Sequence, residues 1–471
     1  MTPMIQQTSV RIPFCAGAVE VDLAALNADR AINMIPGSGF VVGVHSFEMA
    51  SALLEWTPMV TSRETDEIYF YHEGKYHPNG EQFIKKVLTM VIGPLRNAKG
   101  NSVLTNSLTA EIIAKVKGLT YNSMDIFDKD RDLVNMRNGL YNWKTGELYP
   151  HDPDYPCLIQ IPVEYNNEAD CPNIKEMLSK VVSQENIIKL REFMAYCLYR
   201  GYPIQVAFIL LGPGGSGKSI FISLCRKLVG DDNYATVSMH DIENDRFAAA
   251  DLHAKLLNGF GDMEQTTLPN INKLKMLVSG SDEFRAQHKH KAPFNFINYA
   301  KFLFSTNRLP LVKDDTTGFY RRMEIVMFEH VFKGDELDRN IIVKLTTPDE
   351  LSGLFNWVIV TLEPLLRRGE FTNSTDIETI TKLYRGASDP MSVFIDDCVV
   401  ESANGSVLKT DMYEAYKKLC NKYKVKPLKP NWFSQKFSQK VPYVKADYRP
   451  DASGASTPVW KFVELVDNTD E

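Results

Sequence analysis

Three observations in this 471-residue sequence predict an α/β fold. A continuously apolar run over 206–211 breaks into a glycine-rich loop, and the loop opens onto a helical pattern with Ile220, Phe221, Leu224 and Leu228 on one face. A second apolar segment, with Leu256, Leu257 and Phe260, ends in the acids Asp262 and Glu264. A third, with Phe302, Leu303 and Phe304, ends in Ser305-Thr306-Asn307. Short apolar strands that alternate with helical segments and finish in polar residues are the pattern of an α/β core.

Length and composition bound the rest. Single cores rarely grow beyond roughly 250–300 residues, so two to four domains are expected. The chain is 44% hydrophobic and 24% charged, as in ordinary globular proteins. Its net charge of −6 does not suggest a nucleic-acid binder, but residues 409–449 carry eleven Lys or Arg against Asp411, Glu414 and Asp447, a local charge of +8. Seven scattered cysteines with no C-x-x-C pair indicate neither a zinc ribbon nor a disulfide framework, and reduced intracellular thiols are expected. No basic-then-apolar leader and no run of eighteen apolar residues is present, so a non-secreted protein of the cell interior without a membrane partner is expected.

In chain order, residues 1–60 are weakly patterned and remain unassigned. Residues 61–170 read as an α+β domain: a hairpin around Glu73-Gly74-Lys75, helices near 82–92 and 108–116, then two short strands around the Asn138-Gly139 and Thr145-Gly146 turns. His72, His77 and His151 lie there without ligand spacing, so no metal is expected of them. Residues 171–201 read as a helical neck, able to pack subunits together or to serve as internal core. The main core is placed at 202–370, a linker at 371–389, and a basic domain with an acidic tail at 390–471. That last domain reads as three helices followed by a two-stranded ribbon, with strands near 442–445 and 457–465, a winged-helix-like arrangement. A basic three-helix fragment that binds no DNA is the alternative.

Gly212-Pro213-Gly214-Gly215-Ser216-Gly217-Lys218-Ser219 fits the spacing G-x-x-x-x-G-K-[ST] between a strand and a helix. The glycines let successive N–H groups face one anion, and the helix dipole adds to them. Lys218 is expected to reach the β- and γ-phosphates and the Ser219 hydroxyl to ligate Mg²⁺. Asp262 is assigned to the Mg²⁺ side and Glu264 to water, with both roles open to merging in Asp262. Asn307, at a strand tip, suits the γ-phosphate or the lytic water. Arg321 and Arg322 precede a further strand and suit a nucleotide held by an adjacent subunit, although a solvated pair is the plainer reading. The cluster Gln287-His288-Lys289-His290-Lys291, between acidic and aromatic flanks, reads as a hairpin tip suited to strand phosphates, or else as a solvated basic turn.

GPGGSGKS, GDME, STN and GFYRR stand in order, with the basic cluster between the second and third. This set resembles superfamily 3 helicases, which are built on an AAA+ core, and within them the poxvirus- and phage-type primase-helicase branch. The resemblance covers about 68–368 and includes RDLVNMRNGLYNWKTGELYPH ahead of the core. It implies an ATP- and Mg²⁺-dependent DNA helicase of a virus, phage or mobile element, working as a hexameric ring on single-stranded and forked DNA. It further implies Lys218 and Ser219 as phosphate and Mg²⁺ contacts, Asp262 and Glu264 as the acidic pair, Asn307 as the γ-phosphate sensor, and one of Arg321 and Arg322 as a finger acting in the neighbouring subunit. Lys289, His290 and Lys291 fall at the DNA-gripping hairpin. Met263 separates the two acids, where the general pattern has them adjacent, which leaves open which of them activates water. About 60 unassigned residues are too few for a polymerising domain, so no primase activity is expected, and a separate primase or polymerase is left room as a partner. The alternative of another class is an ATP-switched DNA-binding initiator or scaffold that hydrolyses ATP without processive unwinding.

Overall fold

The computed structural model describes residues 9–14, 17–22, 26, 28–263, 267–268, 271–290, 292–312, 317–334, 338, 340–423, 425–450 and 456–466. The chain forms two compact units, each discontinuous in sequence. The first comprises Met1–Asp170, Lys227–Asn233 and Leu351–Ile359, and the second Cys171–Arg226, Tyr234–Glu350 and Val360–Glu471. Residues 227–233 and 351–359, read from the sequence as part of the 202–370 core, therefore pack with the first unit.

The first unit begins with two hairpins, β1 (Ser9–Phe14) with β2 (Gly17–Asp22) and β3 (Ile32–Met34) with β4 (Val41–Val44). Helix α1 (Ser46–Trp56), β5 (Met59–Ser62), β6 (Ile68–His72), β7 (Lys75–His77), α2 (Gly80–Val91), α3 (Asn106–Thr120) and β8 (Tyr121–Asn122) follow. The sheet order is β7-β6-β5-β8. Between β6 and β7, Glu73 and Gly74 both take positive φ (45° and 86°), the pair of left-handed residues a type I′ hairpin requires. A Cβ on Gly74 would stand 2.5 Å from His151 Nε2, so glycine is needed there for space as well as conformation. The aromatic centre is Phe70 stacked on Phe83 at 4.1 Å, with Trp56 5.8 Å from Phe83. Where two strands were expected, three form a meander: β9 (Leu133–Met136), β10 (Gly139–Asn142) and β11 (Glu147–Tyr149). Their three- and four-residue lengths fall below what alternation alone can separate.

The second unit opens with α4 (Pro172–Val181) and α5 (Gln184–Leu198), the latter capped by the Ser183 hydroxyl, which accepts from the Asn186 N–H. Of the two readings of this neck, internal core holds for α5. Phe193 packs 4.3 Å from Phe208, and the buried Lys189 ammonium pairs with buried Glu324 at 2.5 Å. Then come β12 (Ala207–Leu211), α6 (Lys218–Val229), β13 (Tyr234–Ala235), α7 (Met239–Asn244), β14 (Leu257–Phe260), β15 (Thr267–Leu268), α8 (Asn272–Ser279), β16 (Glu283–Ala286), β17 (Phe294–Ile297), β18 (Lys301–Thr306), β19 (Leu311–Val312), α9 (Thr317–Tyr320) and β20 (Met323–Met327). Five of these strands make one parallel sheet, β13-β14-β18-β12-β20. Every residue of β12 and β18 is buried, as expected of parallel strands covered on both faces. Strand β18 lies between β12 and β14, so the acids after β14 do not come from the strand next to the phosphate loop.

Helices α10 (Ile341–Leu345), α11 (Pro348–Ile359), α12 (Leu362–Arg368) and α13 (Ile377–Ser388) lead onward, and α13 fills most of the stretch read as a linker. The end of the chain is α14 (Pro390–Cys398), β21 (Val399–Leu408), α15 (Lys409–Lys422), α16 (Pro430–Lys440), β22 (Lys445–Pro450) and β23 (Ser456–Leu465), with sheet order β21-β23-β22. Strand β21 corrects the sequence reading, which placed all three helices before any strand, and β22 begins where the first ribbon strand was expected to end. The sequence of β21, VVESANGSVL, is polar and bulged between Glu401 and Ser406, so it lacks strand periodicity. Phe394, Tyr416, Phe433, Phe437 and Trp460 form the core of this part. Among the described residues, no helix is long and apolar enough to cross a membrane.

Candidate active site

The phosphate-loop sequence leaves the carboxyl end of β12 and closes onto the first turn of α6. Gly215 and Gly217 have φ of 76° and 91°, conformations closed to most side chains. Gly212 answers to space instead, because a Cβ there would meet the Phe328 carbonyl oxygen at 2.1 Å. The 12-residue helix behind the loop presents its amino-terminal N–H groups and positive dipole end to whatever the loop holds.

Lys218 is 7% exposed, and its ammonium donates to the carbonyls of Gly212 and Pro213, both at 2.8 Å. It also donates to Asn307 Oδ1 at 3.0 Å. Parallel register accounts for that meeting: Leu211 pairs with Thr306, the Gly212 N–H donates to the Thr306 carbonyl, and Asn307 is therefore delivered beside the loop. On the other flank of β18, Asp262 sits at φ 59°, a strained conformation for a residue with a Cβ. Its N–H donates to Ser305 Oγ at 3.3 Å and the Met263 N–H donates to the Ser305 carbonyl at 2.9 Å, while the single proton of the Thr306 hydroxyl is shared between the carbonyls of Arg308 at 2.5 Å and Met263 at 3.0 Å. The tip of β18 thus shapes both the lysine and the acid.

Lys218, Asp262, Ser305 and Asn307 line one cavity of about 640 Å³, together with Gly214, Gly215, Ser216, Gly217, Ser219 and Ile220. Its far wall was not foreseen: Asn173, Glu176, Met177 and Lys180 from α4, then Phe332, Asp338, Ile341 and Lys344. The far-wall charges are locally paired, Lys180 with Glu176 and Lys344 with Asp338, both at 2.6 Å. The Phe332 N–H donates to the Gly215 carbonyl and ties this segment to the loop. No motif marks those residues, and only folding brings them within reach. The Ser219 hydroxyl and Asp262 carboxylate are hard oxygen donors on one cavity with the lysine, the donor type Mg²⁺ takes alongside phosphate oxygens and water. Among the described residues, no group of three or more His, Cys, Asp or Glu could hold a metal by itself.

Other residues proposed from the sequence lie elsewhere. Arg321 and Arg322 stand at the amino end of β20, whereas the loop leaves the carboxyl end of β12. Ala207 pairs with Met323 and Leu211 with Met327, so four residues of strand, about 13 Å, separate the two ends. Arg321 is exposed. Arg322 is partly buried, donates from Nη1 to the Gly318 carbonyl at 2.7 Å, and has a buried Nε without a partner. Burial, and next the neighbouring Arg321 charge, lower the Arg322 pKa. Lys289 and His290 are exposed between β16 and β17, with His290 at φ 64°. The hairpin base is aromatic: His288 stacks on Phe294 at 5.5 Å, and His253 meets Phe294 and Phe296 at 5.0 and 5.4 Å. Glu264 and Lys291 lie outside the described residues.

Three stretches match known families: D5 N terminal like over 50–183, a family of unknown function (DUF5906) over 210–322, and Poxvirus D5 protein-like over 387–453. A protein of Acanthamoeba polyphaga mimivirus described as a putative helicase is 23% identical over 257 residues, covering 51% of this chain and 26% of the relative. A putative primase of African swine fever virus is 19% identical over 379 residues, covering 74% of this chain and 39% of the relative. The chain thus spans between about a quarter and two fifths of the length of these relatives. Two of the three matched stretches are thus similar to D5-type proteins, and the two viral relatives are described as a putative helicase and a putative primase. Among solved structures, the chain is similar to the apo structure of the NrS-1 C terminal region, at 11% identity and a TM-score of 0.48, covering 88% of this chain and 97% of that one.

Proposed function

We propose that this chain is the ATP-hydrolysing motor of a replication helicase of a virus, phage or mobile element, of the superfamily 3, AAA+ type. One observation carries the reading: the Lys218 ammonium, held by loop carbonyls and Asn307, shares a 640 Å³ cavity with Ser219 and Asp262. A cation, an amide and an acid around a nest of N–H groups suit phosphoryl transfer, in which positioning and charge stabilisation do nearly all the work. The names of the two viral relatives agree with an enzyme of DNA replication.

In this reading the loop N–H groups and Lys218 bind the phosphates of ATP. Ser219 and Asp262 hold Mg²⁺, which neutralises charge on the β- and γ-phosphates when bound. Asn307 orients the γ-phosphate or the attacking water, and Glu264 is the proposed water-side acid. One of Arg321 and Arg322, both too far along β20 to serve their own loop, acts on the nucleotide of a neighbouring subunit, which calls for a ring, proposed as a hexamer. The exposed Lys289 and His290, with Lys291, grip the phosphates of one DNA strand. The order helix, strand, helix, helix, strand, strand over 390–465, with β23 central in its sheet, supports a winged-helix-like domain for duplex capture. Single-stranded and forked DNA in the host-cell interior are the proposed partners, with a separate primase or polymerase alongside.

Purified chain mixed with Mg²⁺, ATP and a forked duplex tests this. DNA-stimulated hydrolysis with strand displacement is expected. Hydrolysis without displacement would favour an ATP-switched initiator or scaffold, and no hydrolysis at all would overturn the site.

A further inference from the structure

Helix α4 runs along the 640 Å³ cavity with one face turned to it. At its carboxyl end Val181 packs on the phosphate loop: a Cβ on Gly217 would stand 2.9 Å from Val181 Cγ1 and 3.6 Å from the Phe332 ring. Asn173, Glu176, Met177 and Lys180 line the cavity at the i, i+3, i+4, i+7 spacing of a single helix face. Asn173 therefore stands eight residues before Val181, about 12 Å from the loop end of the helix. Lys218 marks the phosphate end, so a nucleotide that follows α4 brings its base toward Asn173. Along the way the wall offers apolar surface, with Met177 5% exposed and Phe332 and Ile341 supplied by the 332–344 segment.

The orientation of the Asn173 amide is set by Glu350. This carboxylate, 5% exposed on α11, accepts at Oε1 from the Asn173 N–H at 3.2 Å and from Asn173 Nδ2 at 2.7 Å, and at Oε2 from the Ile174 N–H at 3.2 Å. The N-cap residue of α4, Cys171, makes no side-chain cap, so Glu350 caps the helix through the two backbone N–H groups and its bond to Nδ2 serves to aim the amide. A carboxylate accepts and cannot donate, so the amide must turn its nitrogen to Glu350. The oxygen is left as an acceptor on the cavity, and among the described residues nothing donates to Asn173 Oδ1.

We infer that Asn173 selects the base of the nucleotide: its Oδ1 accepts from the exocyclic amine of adenine and disfavours purines that carry an oxygen at that position. The inference rests on the triphosphate reading of the cavity. Guanine and hypoxanthine place a carbonyl oxygen where adenine has its amine, so two acceptors would face each other with no proton between them. Asn173 itself is exposed at the cavity wall. The discrimination is therefore that of one hydrogen bond open to water, about tenfold, and not the roughly 10⁴–10⁵-fold of a fully buried polar site. Glu350 is a positioning residue in this scheme, acting on the base only through the amide it holds.

The test compares hydrolysis of ATP with that of ITP, which has an oxygen in place of the exocyclic amine, by the full chain with Mg²⁺. The wild type is expected to show kcat/KM about tenfold higher for ATP, with the difference in KM, because a contact to the base is made equally in the ground and transition states. Asn173→Ala, which retains the backbone N–H that Glu350 accepts, should bring the ratio to within about twofold through a raised KM for ATP. Equal kcat/KM for the two nucleotides in the wild type overturns the inference and leaves the phosphate site standing, as does an Asn173→Ala chain that keeps the tenfold preference. Hydrolysis of neither nucleotide overturns the phosphate site, and the base selection with it.

Discussion

Lys218 and Asn307 stand 89 residues apart in sequence and meet at 3.0 Å, the lysine donating to the amide oxygen. The contact follows from β12 and β18 being neighbours in parallel register, so that both strand ends reach the same side of the sheet. It links the group proposed to bind phosphate to the group proposed to sense it.

Removing either member should therefore act on turnover. Lys218→Ala is expected to lower ATP hydrolysis by at least about 10²–10³-fold, the scale of losing one donor from a preorganised charge-stabilising site. Asn307→Ala should slow hydrolysis to a similar degree while ATP still binds. Steady-state kinetics with equilibrium nucleotide binding decides, and near-normal turnover in Lys218→Ala would sink the assignment.

Ser305 is expected to matter through Asp262. Asp262 holds a left-handed conformation that residues with a Cβ seldom adopt, and the bond its N–H makes to Ser305 Oγ helps to hold it there. Ser305→Ala should leave apparent ATP affinity nearly unchanged and raise the Mg²⁺ concentration for half-maximal hydrolysis about fivefold, equivalent to about 1 kcal/mol. An unchanged Mg²⁺ requirement would show that Asp262 holds its conformation without the hydroxyl.

The two arginines should separate. Arg321 is exposed and Arg322 is tethered to the Gly318 carbonyl, so Arg321→Ala should cost hydrolysis and Arg322→Ala should chiefly cost stability. Mixing Arg321→Ala with Lys218→Ala chains should restore some activity, because a mixed ring contains interfaces with an intact loop and an intact arginine. Mass spectrometry can establish that the rings are mixed; no recovery in such rings excludes action between subunits.

At the hairpin, a Lys289→Ala/His290→Ala variant is expected to lose DNA stimulation and strand displacement while basal hydrolysis stays within about twofold, since the tip lies outside the lining of the cavity. Equal loss of basal and stimulated rates would make the hairpin part of the hydrolytic site.

Acid should weaken the first unit through His77. Burial first, and the Lys75 charge second, push its pKa down to about 4 from an ordinary value near 6.5. The unfolded chain then binds a proton that the folded chain refuses. Stability from this group is complete above a pH of about 6.5 and is lost as pH falls toward about 4. Thermal unfolding between about pH 7.5 and pH 5 should show a shallower decline for His77→Gln than for the wild type, and identical declines would count against a half-buried imidazole held neutral.

By itself, the sequence determined the local units of this protein. Strand, loop and helix around Lys218 are legible because an apolar run, a glycine spacing and a helical repeat are properties of adjacent residues. The hairpin at Glu73-Gly74 and the exposed basic tip at Lys289 were readable for the same reason. Tertiary structure alone decided which strand lies beside which. It set β18 between β12 and β14, delivered Asn307 to Lys218, bent Asp262 around Ser305, and sent Arg321 to the far end of the sheet. It also built the far wall of the cavity from α4 and 332–344, and it recruited the polar strand β21 into a sheet. Strand order, register and burial arise from long-range packing, and packing is satisfied by apolar volume that many arrangements of the same elements could supply, so no local pattern encodes it.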